Sequence, residues 1–372
     1  LKGAAAAALY GSRAANGVIL ITTKTGSAKA SRKKLEMTFS SSYAFEQISN
    51  LPDFQNTYGT GTNFNYQQVN GSWGAPFVGT RNYANVDSIA HWYSGRPGMS
   101  EFDGEMVPYQ AYPDNVKDLF RTGQMYDNSL NITAGNERSV LSVTATYTKN
   151  NGYVPNTSFD RFILSAGGNT ELENGFIIGA NLSYTNSVQK AIQSGVGSLG
   201  ANNQSAFARA LFLGRNWEVQ GQPFQNPVDN GSEFMVARGQ ADNPYWSYEN
   251  AGGETTVSRI VAQISLGYDI TDWFNLSYKL GFNTYSQFNK DFIRPGSTGA
   301  QGLGRVTTDD ILFSELESNL IATFTKDINE DFSFRGIIGQ NINQRTLDRQ
   351  AVQGTQYVVF DIDQLDNTNN VI

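Results

Sequence analysis

Few side chains in this sequence can do covalent or metal chemistry. It has one histidine, His91, and no cysteine in 372 residues, so thiolate nucleophiles, Cys/His zinc sites, iron–sulfur clusters and a Ser–His couple have almost no material. Asp361, Asp363 and Asp366, and separately Asp103 and Glu105, could offer oxygens to calcium in a surface loop. The first group lacks both the glycine and the distal glutamate of an EF-hand loop, and a solvated loop is its competing reading. Gly195-Val196-Gly197-Ser198-Leu199-Gly200 fits the GxGxxG spacing, with a weakly helical 205–213 after it. A dinucleotide-binding strand is apolar on both faces, whereas here Ile178, Ala180, Leu182 and Tyr184 alternate with Gly179, Asn181 and Ser183, so the motif reads as a loop. No catalytic residue, resident cofactor or metal is expected. What remains is non-covalent recognition. Trp73, Trp92, Trp217, Tyr245 and Trp246 fall in long irregular segments, where an aromatic face could stack on a sugar ring or anchor a folded loop.

The charge balance narrows the field further. Against 34 acidic residues stand 27 basic ones, a net charge of −7, and no basic stripe suited to phosphate recognition appears beyond Lys29, Arg32, Lys33 and Lys34, which read as a linker. No run approaches the ~18 apolar residues of a spanning helix. With 37 glycines, 23 Phe, 18 Tyr and 5 Trp but only 16% charged residues, the composition is that of a long all-β protein.

The elements that would position those aromatics are strands. From residue 34 onward, stretches of about ten residues alternate apolar with small or polar types, the period of a half-buried strand. Ile260, Ala262, Ile264, Leu266 and Tyr268 share one face, and Val261, Gln263, Ser265, Gly267 and Asp269 the other. The pattern recurs around Phe39, Ile132, Val143, Leu164, Leu182, Tyr278, Leu316 and Phe334, giving nine strands. Four of the connections are tight turns, at 135–138, 171–175, 271–273 and 326–331. Of the others, 47–126, 191–254 and 292–308 are long and 150–158 is short. This asymmetry is the mark of an up-and-down outer-membrane barrel, with short turns at one rim and extended loops at the other. Phe176, Tyr184, Trp273, Phe274, Tyr285, Phe324 and Phe332 near strand ends suit an interfacial girdle, although cross-strand pairs of a soluble sheet would look the same. Because a sheet in lipid must close on itself, and 349–372 reads as an unfinished loop, the barrel is expected to continue beyond Ile372.

The opening segment reads as a short helix over the alanines at 4–8, a turn at Asn16-Gly17 and a β-rich run at 18–23. It has no initiating Met, basic n-region or cleavage site, so the chain is expected to begin mid-protein. Tyr10-Gly11-Ser12-Arg13-Ala14-Ala15-Asn16-Gly17-Val18-Ile19 resembles the end of the plug domain of TonB-dependent outer-membrane transporters, specifically the SusC/RagA-like branch. Asn151-Gly152-Tyr153-Val154, Phe159-Asp160-Arg161-Phe162 and Asn243-Pro244-Tyr245-Trp246 are also similar to that family. The resemblance divides the chain into the C-terminal part of an α+β plug (1–26), a linker (27–33) and the first part of an antiparallel transmembrane β-barrel with long extracellular loops (34–372).

The resemblance also implies a function: energy-coupled import of glycan or oligopeptide nutrients through a plugged barrel of about 22 strands. The implied partners are the TonB complex of the inner membrane, a SusD-like surface lipoprotein and outer-membrane lipid. At the plug end, Gly11 and Gly17 supply backbone freedom. Arg13 is a candidate partner for lumen carboxylates such as Glu315 and Glu317. The loop tryptophans are candidates for cargo or lipoprotein contact. Two other readings stay open: a conventional TonB-dependent siderophore or cobalamin receptor, and a secreted all-β adhesin or carbohydrate-binding protein.

Overall fold

A computed structural model of the chain describes residues 16, 35–77, 86–192, 206–236, 241–298, 302–329 and 331–372. The main element is one antiparallel sheet. Strand β1 (Leu35–Glu46) is followed, inside the first long connection, by two small hairpins: β2 (Gly61–Thr62) with β3 (Asn65–Tyr66), and β4 (Ser88–Ala90) with β5 (Met106–Pro108). The sheet resumes with β6 (Gly123–Gly135), β7 (Ser139–Asn151), β8 (Ser158–Glu171), β9 (Phe176–Ile192), β10 (Ala251–Thr271), β11 (Phe274–Ile293), β12 (Arg305–Asp327), β13 (Ser333–Tyr357) and β14 (Thr368–Val371). Sheet order follows chain order from β1 through β6 to β14, which is an up-and-down meander. The nine expected strands are all present, and a short tenth, β14, joins them.

Register converts the alternation into a continuous belt. Met37 lies opposite Ile132, and the row runs on through Val143, Ala166, Leu182, Ala262, Phe282 and Leu316. In a sandwich these side chains would meet a second layer. Here they stay open, with Met37 61%, Leu182 53% and Ile338 69% exposed, so the belt faces outward. Aromatics edge it on both sides. At the turn rim Phe176 stacks on Tyr268 at 4.1 Å and Phe274 on Phe324 at 4.8 Å. Toward the loop rim Tyr43 contacts Phe45 and Tyr126, each at 4.6 Å. From Phe176 to Tyr184 is about 26 Å of strand, close to the ~25 Å apolar band of outer-membrane barrels. Tyr285 departs from the expected girdle. It stacks on Phe313 at 5.0 Å on the opposite, polar face.

The turns close as the sequence indicates. Asn136 Oδ1 accepts the backbone N–H groups of Arg138 and Ser139, and Asn329 Oδ1 those of Asp331 and Phe332, the Asx-turn use of asparagine. The tail does not. Residues 349–357 continue β13, a strand of 25 residues, and β14 pairs back onto it through Gly354 and Thr355. On the outward face of β13, Phe334, Ile338 and Ile342 give way to Gln344, Thr346 and Asp348. A spanning strand needs only ~9–11 residues, so the surplus of β10 to β13 stands above the belt. There the outward face of β13 turns polar, and its ladder persists without alternation.

Candidate functional site: the loop cap and the polar inner face

Loops of this length rarely lack structure of their own unless they have a function, and these two fold together. Ala75, Phe77, Ile89, Trp92, Tyr93, Met99, Tyr109, Val116 and Leu119 from the first long loop form one core with Ala210, Leu213, Trp217, Val219, Phe234, Met235 and Val236 from the second. Polar ties fix the pair. The Arg96 guanidinium meets Glu233 at 2.8 Å and donates to the Val236 carbonyl at 2.6 Å. Buried Arg215 donates to Asn56, Asn115 and the Pro113 carbonyl. Asn115 in turn donates to the carbonyls of Gly214 and Trp217.

The short helix Pro244–Asn250 joins the cap to the barrel. Asn243 caps it by accepting from Tyr245 N–H at 2.9 Å, and Pro244 occupies its first turn, the favoured chemistry for a helix start. Tyr245 and Tyr248 donate their hydroxyls to the carbonyls of Asp118 and Leu119 in the first loop. The chain then runs directly into β10 at Ala251. Arg294 ties the next loop in through a two-point bond to Asp363, at 3.1 and 2.9 Å.

The expected contact residues separate accordingly. Trp92, Trp217 and Trp246 are at most 1% exposed and sit where loop anchors belong, with Trp246 Nε1 donating to the Asn230 carbonyl. Tyr245 is half-buried at the joint. Trp73 alone of the set is open, at 67%. Of the plug-end set Tyr10, Gly11, Ser12, Arg13, Asn16 and Gly17, only Asn16 lies within the described residues, in an exposed turn. The GxGxxG segment also falls outside them, and 206–211 is the expected short helix. Among the described residues no group of three acidic or histidine side chains is placed to hold a metal. Asp363 is engaged by Arg294, and Asp103 accepts the Gly95 N–H at 2.6 Å.

The inner face of the sheet is a ladder of small polar groups. Ser129 meets Thr146, Asn131 donates to Ser142 and Thr144, and Ser165 meets Ser183, at 2.7–3.0 Å. On the longer strands charged groups join the ladder. Glu315 accepts from Arg345 at 2.6 Å and Asn343 at 2.8 Å, while Glu317 accepts from Asn341 and Asn319. The cation nearest Glu315 thus comes from the neighbouring strand. Asp309 is held at two points by Arg349, at 2.7 and 3.0 Å. Pairs such as Thr255 with Asn289, or Glu315 with Arg345, cross strands, so sequence spacing carried no sign of them.

Two buried groups in the cap have shifted protonation. Burial is the main cause that holds the His91 imidazole below its ordinary range. Its Nδ1 accepts the Tyr93 N–H at 3.2 Å, so the neutral ring carries its hydrogen on Nε2, facing Gln222 Oε1. Burial likewise pushes the Asp242 carboxyl up, against hydrogen bonds from Ser297 Oγ and Thr298 N–H and the nearby Arg209.

No protein-family model matches the chain. Among characterised proteins, it is 24% identical over 288 residues to TonB-dependent receptor P3 of Formosa agariphila, covering 76% of this chain and 24% of that one. It is 22% identical to receptor P39 of the same organism over its entire length and 31% of the relative. The match to the TonB-dependent receptor SusC of Bacteroides thetaiotaomicron is 28% identical over 44% of this chain and 13% of that protein. The chain therefore spans less than a third of these relatives. In fold it superposes on the RagAB peptide importer in its open-open state with a TM-score of 0.76 at 16% identity, over 100% of this chain and 40% of that one. Against the closed-closed state the TM-score is 0.72. In sequence and in fold the chain is SusC/RagA-like, resembling TonB-dependent outer-membrane transporters.

Proposed function

We propose that this chain is part of an importer that carries glycan or oligopeptide nutrients across the outer membrane of a Gram-negative bacterium. It works with a SusD-like surface lipoprotein and draws energy from the TonB complex. The observation that carries this reading is the outward apolar row, running strand by strand from Met37 on β1 to Leu316 on β12, opposite a polar inner face and beneath a folded cap at one rim. Such a sheet is stable in hydrocarbon only when its edges are paired, so further strands complete it. Residues 1–26 belong to the plug and 27–33 to a linker, with the barrel from 34 onward. Transport needs no covalent step, in keeping with relatives named as receptors and importers. Deleting the gene in its host should abolish growth on one oligomeric nutrient class, and complementation should restore it only while TonB and the neighbouring lipoprotein are intact. Uptake that persists without the lipoprotein would favour a siderophore or cobalamin receptor. A water-soluble full-length product would favour a secreted adhesin or carbohydrate-binding protein.

A further inference from the structure

We propose that Asn70 is a site of spontaneous covalent modification in the first long loop, where deamidation through a cyclic imide turns its amide into a carboxylate. The reaction needs no cargo and stands apart from the import reading. It favours Asn-Gly pairs, because a glycine has no Cβ to obstruct ring closure and rotates freely. Such pairs begin at Asn16, Asn70, Asn151, Asn174 and Asn230, and by the pair alone they rank equally. Gly17 lies outside the described residues. Among the other four, the fold decides.

The attacking atom is the glycine backbone nitrogen, so what its N–H already bonds sets how readily the ring closes. Gly152 N–H donates to the Thr157 carbonyl and Gly175 N–H to the Leu172 carbonyl, both at 3.0 Å. Gly231 N–H donates to Asp229 Oδ1 at 3.0 Å. Their asparagines are held as well. Asn151 is paired with Gln124 and Ser158 in the sheet, Asn174 Oδ1 faces the Phe176 N–H at 3.4 Å, and Asn230 Oδ1 accepts from Gln225 at 2.9 Å. Each of these pairs must open a turn or a strand end before it can react.

Asn70-Gly71 carries no such restraint. Among the described residues neither the Gly71 N–H nor the Asn70 side chain makes a hydrogen bond, and Asn70, Gly71 and Ser72 are all exposed. The three bridge two anchored ends. On one side Gln68 donates to the Trp92 carbonyl. On the other the Trp73 carbonyl accepts the Phe64 N–H at 2.9 Å, and Gly74 N–H donates to the Gly59 carbonyl at 3.0 Å. Rotation within the bridge therefore breaks none of the bonds that fix its ends. Gly71 sits at φ 137°, backbone that glycine reaches without strain.

Water is the only co-reactant. The Gly71 nitrogen gives up its proton and bonds to Asn70 Cγ, the bond from Cγ to the amide nitrogen breaks, and that nitrogen leaves with the proton as ammonia. Water then opens the imide at either carbonyl. One product is aspartate, the other isoaspartate, whose backbone runs through Cβ and Cγ. Either adds a negative charge, and isoaspartate lengthens the bridge by a methylene group.

The test incubates the full-length protein, purified from outer membranes in detergent, in mildly alkaline heavy-oxygen water, and follows each Asn-Gly peptide by mass spectrometry. Position 70 is expected to gain heavy-oxygen carboxylate, with isoaspartate among its products, about fivefold or more faster than 151, 174 and 230, the factor one backbone hydrogen bond imposes when it must open first. In the protein unfolded in urea the four rates should converge. Asn70→Gln should remove the main acidic variant from isoelectric focusing of the folded protein. The proposal is overturned if another of the four pairs leads, if all four keep pace in the folded protein, or if position 70 stays an amide. An order of rates that persists in urea also overturns it, since neighbouring sequence rather than the fold would then set them.

Discussion

His91 links the cap to pH. It stacks on Phe102 at 4.1 Å, accepts the Tyr93 N–H and faces Gln222, so a proton arriving at Nδ1 must break a backbone hydrogen bond in a dry site. A folded-state pKa held below the ordinary 6.5 means that folding disfavours the charged ring. Cap stability is therefore fully present above about pH 6.5 and falls as the pH drops through that value toward the lower folded pKa. Hydrogen-exchange protection factors of residues 86–122 in the full-length protein, with the intrinsic pH dependence of exchange divided out, should fall between pH 7.5 and 5.5, and His91→Gln should flatten the change. Protection factors that ignore pH in this window would refute the assignment. The tryptophans show why residue roles were only partly legible. The four in long loops look alike in sequence, but Trp92 and Trp217 are buried in a core that joins segments a hundred or more residues apart, Trp246 is buried with its Nε1 on the Asn230 carbonyl, and Trp73 is exposed. The Asn243-Pro244 pair was readable because helix capping is local.

Strands were the most legible elements, since a half-lipid, half-water sheet writes its environment into every second residue. The expected loop boundaries at 47–126 and 191–254 fall within a few residues of the observed strand ends, Glu46 and Gly123, and Ile192 and Ala251. The pattern fails where its cause is missing. Above the belt, β13 touches water on both faces, and its last residues read as loop. The same physics gives a paired prediction. Ile264 is outward and 51% exposed, while Gln263 beside it faces the polar interior. Ile264→Arg is expected to cost about 2–4 kcal/mol of folding stability in bilayers, and Gln263→Arg much less, as read from urea titrations of heat-modifiable gel mobility. Equal effects would show that the two faces do not differ in solvent.

At the scale of the whole molecule, the sheet and the cap divide the work. The sheet supplies a membrane-facing wall with a polar lining, and the cap supplies a folded surface at one rim whose own core makes it rigid. Sequence could announce the wall by periodicity. It could not announce the cap, whose bonds, such as Thr60 N–H to Asn216 at 2.8 Å, link remote positions with no repeat to betray them. None of these 372 residues is cysteine, so labels can be placed along the sheet one at a time once any cysteine elsewhere in the full-length protein is replaced. Single cysteines placed at each position from 312 to 324 of β12 in the full-length protein, spin-labelled in native outer membranes, can be probed with oxygen, which partitions into lipid, and with a water-soluble nickel chelate. A two-residue period is expected, with oxygen contact at positions 316, 320, 322 and 324 and lower oxygen contact at 313, 315, 317 and 319. Even-numbered positions shielded from both reagents, as in the interior of a soluble sandwich, would contradict it.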